Sequence, residues 1–261
     1  MNRRSFLAAA ATTATAPALL AEGNTAVREY LSIRTYFAAE AGKVEKLVEK
    51  LDAAIPFVNG LGFGKVGVFS VRHDLHEGDK KFPEMYRNVA LMVLSTPDFG
   101  KLECLQETLQ TSPDAPLVQT GTADMLYENE QITLLRAFPG WPEIQVPNLS
   151  PERVIQLRCY ASPTPERNRM KRNMFDVRGE LALFRRCGME PVLYGETLFG
   201  GFLAPSLHYM LSFENNDARL AGWKKFVTSN EWKQMSGEAA FRDTATRIIN
   251  LFLKPSAHSQ I

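Results

Sequence analysis

The chain has few cysteines, few histidines and almost no excess charge. Its 261 residues include 3 cysteines and 4 histidines, and 30 basic and 29 acidic residues leave a formal net charge of +1. Three cysteines without metal-ligand spacing argue against a disulfide framework and a thiolate metal site, so we expect buried thiols and at most one disulfide. The scattered histidines argue against a multi-histidine metal site. The balanced charge gives no reason to expect a nucleic acid partner.

Motifs that identify several large enzyme classes are also missing. The sequence has no dinucleotide-binding fingerprint, no P-loop and no G-x-S-x-G elbow. These absences disfavour nucleotide-dependent enzymes and serine hydrolases. Because no catalytic motif of similar specificity replaces them, function has to be predicted from the faces of the strands.

Residues 1–21 resemble a bacterial export signal. Arg3 and Arg4 give a basic start, and an Ala/Thr-rich apolar run extends from Phe6 to Leu20. The Arg-Arg-Ser-Phe-Leu run is similar to a twin-arginine signal, with an ordinary secretory signal or an uncleaved anchor as alternatives. The run is shorter than the roughly 20 strongly apolar residues of a membrane span. The sequence therefore predicts an exported, periplasmic protein without stable membrane insertion after cleavage.

The rest of the chain contains the same pattern of elements twice. The strand pattern of Leu31–Tyr36 is echoed by Ile155–Tyr160, and a helical pattern and a Gly-containing turn follow each. Periods of 2 and 3.6 residues predict the order β-α-β-β-α-β in residues 27–140 and again in residues 153–261, with the first helix of each unit at Glu40–Asn59 and Glu166–Cys187. The predicted strands are residues 30–36, 66–69, 88–94, 130–138, 154–160, 192–198, 207–213 and 248–253. A proline-rich linker, residues 141–152, separates the two units.

Two such ferredoxin-like units predict a barrel. Each four-stranded sheet would carry its helices on one face, so the two uncovered faces are expected to pack together with the helices outside. The predicted fold class is α+β, with tandem ferredoxin-like units packed sheet to sheet as an intrachain dimeric α/β barrel. One chain would then form what other proteins form as dimers, and further oligomerisation is left open.

Several segments of the second unit resemble the NIPSNAP family. They are Arg158 with Tyr160, Gly188–Val192, Tyr194–Glu196, Tyr209–Phe213, Trp223–Phe226 and Glu231–Trp232. The resemblance covers the second unit and, more loosely, Leu134–Phe138 of the first. It implies a dimeric α/β-barrel fold, commonly with two domains in one bacterial chain, and no assigned reaction. Related barrel superfamilies include cofactor-independent monooxygenases and haem-degrading enzymes, but this is an analogy of fold alone.

Strand parity predicts a polar cavity inside the barrel. In the first strand of unit two we assign the apolar residues to the helix side, which turns Arg158 and Tyr160 inward. The same parity brings residues of the next two strands beside them, and the first unit supplies two counterparts. The predicted ligand-binding residues are Arg34, Tyr36, Arg158, Tyr160, Tyr194, Glu196 and His208.

Two functions remain open at this point. In the first, the barrel binds a small organic ligand: Arg158 holds a carboxylate or phenolate, His208 or Glu196 moves a proton, and a cofactor-independent oxidation or isomerisation follows. In the second, the protein is an interaction or scaffold protein whose packed barrel contains an Arg158–Glu196 ion pair. The sequence requires no cofactor and assigns no metal, with haem bound through His208 as an alternative. The helix bearing Trp223 is predicted to pack on the sheet.

Overall fold

A computed structural model gives the fold of most of the chain. It describes residues 27–76, 78–112, 115, 125–201 and 203–261. The predicted export signal, residues 1–21, lies outside the described residues, so periplasmic localisation stays a prediction. In these ranges no helix is both long and apolar enough to cross a membrane.

The described ranges contain eight strands and seven α-helices. The strands are β1 (Tyr30–Ala38), β2 (Gly67–Val71), β3 (Val89–Thr96), β4 (Tyr127–Ala137), β5 (Val154–Ala161), β6 (Glu190–Gly200), β7 (Ser206–Phe213) and β8 (Arg247–Pro255). The helices are α1 (Val44–Ala53), α2 (Ile55–Gly60), α3 (Phe99–Thr111), α4 (Pro165–Asp176), α5 (Glu180–Arg186), α6 (Asn216–Thr228) and α7 (Asn230–Gly237).

The strands close into one antiparallel barrel in the order β1-β3-β2-β8-β5-β7-β6-β4. Strands β4-β1-β3-β2 form one half and β8-β5-β7-β6 form the other, with the same relative order. The halves meet at two seams, where β2 pairs with β8 and β4 pairs with β6. The predicted fold class, an α+β protein whose two sheets form an intrachain barrel, is confirmed.

Apolar side chains fill the inside of the barrel. Every strand contributes to one buried cluster, to which β5 supplies Ile155, Leu157 and Cys159, and none of the described α-helices takes part. The helices cover the outside, with α1 to α3 against the first half and α4 to α7 against the second. The barrel therefore has an interior core and two further cores between sheet and helices.

The predicted helix from Glu166 to Cys187 is divided in two. α4 ends at Asp176 and α5 begins at Glu180, after Gly179 with φ +90°. Glycine adopts this left-handed backbone without steric conflict from a Cβ atom. Because both helices pack on the same sheet, the hydrophobic pattern continues across the break and does not reveal it.

The cysteines are free thiols in different environments. Cys159 and Cys187 are buried, whereas Cys104 is exposed. The expectation of buried thiols is therefore wrong for Cys104, which lies on the outer face of α3 while Leu105 and Leu109 of that helix pack inward.

Candidate functional site

The polar face of β5 turns toward the helices and not into the barrel. Arg158 and Tyr160 lie in the space between β5 and the helical layer, while Leu157 and Cys159 lie inside the barrel. The predicted inward face is therefore wrong. Eight strands leave an interior just wide enough for packed side chains, whereas the helix side offers room for long polar and aromatic groups. Since both faces of β5 are buried, alternation alone could not tell them apart.

Glu196 does not pair with Arg158, and its carboxylate has other partners. It lies in the second half of β6 and forms ion pairs with Arg28, at 3.2 Å, and with Arg172 of α4. The buried Arg158–Glu196 pair of the scaffold alternative is therefore wrong. Glu196 joins the segment before β1 to the helical layer of the second half, where two basic side chains already use its carboxylate.

His208 is the predicted residue that faces the barrel interior. It borders a cavity of about 40 Å³, which has room for a few water molecules at most. Its Nδ1 lies 3.2 Å from the hydroxyl of Thr197, which is 2.7 Å from the hydroxyl of Ser206. Burial lowers the pKa of His208 to about 4, so its ring is neutral at neutral pH. A porphyrin does not fit this cavity, and haem ligation by His208 is not supported.

Arg34 and Tyr36 lie in the corresponding layer of the other half, where the guanidinium has an acidic partner. Arg34 Nε donates to Glu130 at 2.8 Å and to the Tyr36 hydroxyl at 3.1 Å. Its Nη2 lies 2.7 Å from Glu130 and also donates to Gln106 of α3. These contacts satisfy the charge, so Arg34 links strand and helix and does not face Arg158 across a cavity.

Arg158 has the corresponding position in the second half but lacks an acidic partner. In the described part of the chain it makes no hydrogen bond or ion pair, and its Nε is buried without a partner. In the first half, the cross-strand neighbour of Tyr36 is the acidic residue Glu130 of β4. At the equivalent position of the second half, the cross-strand neighbour of Tyr160 is the apolar residue Ile248 of β8. Arg158 is only 7% exposed. A charged guanidinium is therefore buried without a direct ion-pair or hydrogen-bond partner among the described residues.

Aromatic rings surround this guanidinium. Arg158 Cζ lies 4.9 Å from the ring centre of Trp223, 5.2 Å from that of Tyr160 and 5.9 Å from that of Tyr209. Such contacts attract a cation but leave its hydrogen-bond donors unused. Burial would lower the pKa of Arg158, but the neighbouring tyrosines and Glu180 raise it above the usual value. The group is therefore charged.

Tyr194 lies behind these rings and is fully buried. Its ring stacks on that of Tyr209, with 5.6 Å between ring centres. The Tyr209 hydroxyl is 2.9 Å from that of Tyr160. The Tyr194 hydroxyl, in contrast, has no hydrogen-bond partner among the described residues. Tyr194 supports the aromatic wall and does not line the open space in front of Arg158.

Arg158 lines an open cleft of about 580 Å³ between β5, β8, α5, α6, α7 and the loop after β2. This volume is in the usual range for small-molecule sites. The basic residues Arg158, Arg219 and Lys81 line it together with the acidic residues Asp79 and Glu180. The other lining residues are Gly78, Gln156, Tyr160, Trp223, Phe226, Val227, Trp232, Ile248, Asn250 and Phe252.

A chain of hydrogen bonds holds Trp223 beside Arg158. The indole Nε1 donates to Gln156 Oε1 at 2.7 Å, and Gln156 Nε2 donates to Asn250 Oδ1 at 2.6 Å. Asn250 Nδ2 then donates to Asp79 Oδ2 at 2.7 Å. Because the side-chain amides of Gln156 and Asn250 each donate one hydrogen bond and accept another, strands β5 and β8 fix the orientation of the indole. Trp223, predicted only to pack on the sheet, also forms a wall of the cleft.

Glu180 is a lining residue that the sequence did not reveal. Its side chain is almost fully buried and accepts a hydrogen bond from Lys171 Nζ at 3.2 Å. Burial raises the pKa of Glu180 above its usual range, although Lys171 and Arg158 favour the charged form. An acidic residue at the start of a helix is normally interpreted as a favourable charge on the helix dipole. In the sequence, the neighbouring Gly179 is the one residue that indicates a break in the helix before Glu180.

Comparisons with known proteins agree with this fold. The NIPSNAP family model matches residues 155–260, and no curated protein matches the chain. A proposed monooxygenase from Lactobacillus acidophilus NCFM has 10% identity and a TM-score of 0.53, covering 87% of this chain and 94% of that one. A proposed monooxygenase from Fusobacterium nucleatum has 10% identity and a TM-score of 0.59, covering 87% and 92%.

A third structure, that of an anthrone oxidase-like protein, has 11% identity and a TM-score of 0.54, covering 88% of this chain and 92% of that one. At these identities the similarity concerns the fold alone. The matched segment runs from β5 to β8 and supplies most of the cleft around Arg158. Residues 155–260, which form one half of the barrel, therefore match the NIPSNAP family model, and the whole chain has the fold of these α/β-barrel structures.

Proposed function

We propose that the cleft binds a small, planar organic anion. Arg158 pairs with its carboxylate or phenolate, and Trp223 and Tyr160 contact its ring. The observation that carries this proposal is the buried, charged guanidinium without an acidic partner in the described residues. Removing a charge from water without pairing it costs several kcal/mol. An anionic ligand would supply the missing partner.

The proposed ligand site lies between the sheet and the helices of the second half, and not in the barrel interior as the sequence predicts. The interior has a cavity of about 40 Å³ beside His208, whereas the cleft at Arg158 has about 580 Å³. A ligand of the size of a substituted benzoate needs the larger space. The aromatic wall and the excess of basic groups favour an aromatic anion in particular.

A cofactor-independent oxidation or isomerisation is the reaction class that we propose for the bound anion. Both reactions begin with removal of a proton from the ligand, which requires a base beside the bound anion. The described lining of the cleft includes neither histidine nor cysteine, two of the common ligands of haem iron. We therefore propose no step that depends on haem.

Arg158→Met tests the proposal with benzoate and benzamide as probes. These molecules have similar shapes, but only benzoate carries a charge. We expect wild-type protein to prefer benzoate in calorimetric titrations and Arg158→Met to lose about 10- to 100-fold in benzoate affinity, the value of a charge-assisted hydrogen bond. The same variant should keep or raise the melting temperature, because it replaces an unpaired buried charge with an apolar chain.

Arg169→Gln is the matched control, since Arg169 is exposed on α4 and its ion-pair partner among the described residues is Glu166. It should leave the affinity for benzoate unchanged. Equal affinity for benzoate and benzamide, or unchanged benzoate binding in Arg158→Met, would contradict the proposal. A large loss of stability in Arg158→Met with no effect on binding would instead favour a structural role and the scaffold alternative.

A further inference from the structure

We propose that Glu180 is the proton acceptor of this cleft, and that the ligand carries an acidic hydroxyl, such as a phenol, besides the anionic group bound by Arg158. The inference rests on the proposed function, because it assigns a second role at the same site. It names a residue that neither the sequence nor the family match points to. It also narrows the ligand class to hydroxylated aromatic anions.

Glu180 is held by a lysine and borders the cleft. Its side chain lines the cleft, yet the residue is only 1% exposed. Lys171 Nζ is its hydrogen-bond partner among the described residues, at 3.2 Å. Lys171 itself is enclosed by rings, with Nζ 4.8 Å from the ring centre of Phe175 and 5.3 Å from that of Tyr160. One side of the carboxylate thus has a fixed donor, and the other side borders the ligand space.

The local backbone explains how an acidic side chain reaches this position. Gly179, with φ +90°, ends the turn after α4, so that α5 begins at Glu180 beside the sheet. In a continuous helix, the chain would keep one direction through this stretch, and the left-handed turn before Glu180 would be absent. The break therefore places the carboxylate, and Lys171 from the preceding helix reaches back to hold it.

The proposed step is a single proton transfer. The O–H bond of the ligand hydroxyl breaks, its electron pair stays on the ligand oxygen, and the proton forms an O–H bond with the free carboxylate oxygen of Glu180. No oxidant or other reactant is required. The negative charge moves from Glu180 to the ligand while Lys171 and Arg158 remain positive, so the net charge of the site is unchanged. Burial already disfavours the charged form of Glu180, so taking up a proton relieves that penalty.

A chromophoric probe tests this step. In 4-hydroxy-3-nitrobenzoate the carboxylate suits Arg158, and the phenolate absorbs visible light at longer wavelength than the phenol. The probe is added at a pH about one unit below the pKa of its free phenol. We expect wild-type protein to shift the bound probe to the phenolate spectrum and Glu180→Gln, which is nearly isosteric, to bind the probe without that shift.

Two further variants make the outcome decisive. Glu180→Asp should retain part of the shift, and Glu231→Gln should retain all of it, since that variant removes an exposed acidic group at the start of α7. Circular dichroism melts confirm that each variant is folded. If Glu180→Gln unfolds, the result for a folded Glu180→Asp decides: a reduced shift of the bound probe supports the proposal, and an undiminished shift counts against it.

The two proposals fail in different ways. Binding that depends on Arg158 but leaves the probe as phenol in wild type overturns the role of Glu180 alone. A full phenolate shift in Glu180→Gln has the same meaning, because Arg158 and Lys171 would then suffice. Absence of any probe binding to wild type overturns the proposed function and this inference with it.

Discussion

At the scale of single residues, the same side chain has different surroundings in the two halves. Arg34 is paired with Glu130 and Gln106, whereas Arg158 contacts aromatic rings and has no direct ion-pair partner in the described ranges. The sequence identified both arginines because each is a charged residue in an apolar strand. It could not predict their difference, which depends on partners from β4, β8 and the helices. Glu180 was missed for the same reason, since its burial depends on how α5 packs.

His208 gives a residue-scale prediction for pH dependence. Its folded pKa of about 4 lies below the unfolded value of roughly 6.5, so the neutral ring is favoured by folding. Its contribution to stability is fully present above pH 6.5 and is lost as pH falls toward 4. Between pH 7 and 4, we expect wild type to lose up to about 3 kcal/mol more than His208→Gln.

Denaturant unfolding of both proteins at several pH values measures this difference. Comparison with His208→Gln removes the contributions of other groups, including His76, whose pKa is also lowered by burial. Parallel pH profiles for the two proteins would show that His208 is not buried as described.

At the scale of elements, strands were easier to predict than helices. Each of the eight strands was predicted within a few residues, because turns and apolar residues delimit strands on both sides. Two predicted helices are each divided, since α1 and α2 share the span predicted as one helix, and so do α4 and α5. Hydrophobic periodicity reports the face that a helix buries. It does not report a break between two helices that bury the same face.

Gly179→Ala tests the break before α5. The glycine has φ +90°, and a Cβ atom added there would meet no other atom within 4 Å, so the expected effect is backbone strain alone. We expect a loss of about 1 kcal/mol in the free energy of unfolding. Gly237→Ala is the control, because Gly237 in α7 also has open space but is not in the left-handed region.

Urea unfolding of both variants measures the effect, and Gly237→Ala should show no loss. Equal stability of Gly179→Ala and wild type would mean that the turn adapts to a side chain. In that case the position of Glu180 would not depend on this glycine.

At the scale of the whole molecule, the closed barrel makes the two halves share one interior. Side chains of all eight strands meet in that core, so neither sheet buries its inner face alone. This architecture was predictable, because two sheets with helices on one side have few other ways to cover the opposite faces. The position of the cleft was not predictable from the architecture, since each half has its own space between sheet and helices.

Leu157→Ala and Leu91→Ala test this shared core, one in each half. Each should lower the free energy of unfolding by about 2–5 kcal/mol, as expected for a large-to-small change in a packed core. Both should shift the same single transition, seen alike by circular dichroism and tryptophan fluorescence. Leu149→Ala, at an exposed position, should have little effect. Two separate transitions, with one unmoved, would show that the halves unfold independently.

The covalent connection between the halves has a consequence for how the protein can specialise. In a homodimer of half-length chains, symmetry would force an acidic residue such as Glu130 to appear twice, and both arginines would be neutralised together. A single chain is free of that constraint. Glu130 can therefore neutralise Arg34, while the equivalent residue Ile248 gives Arg158 no acidic partner. A single chain can thus neutralise the arginine of one half while the other half keeps the arginine of the proposed ligand site.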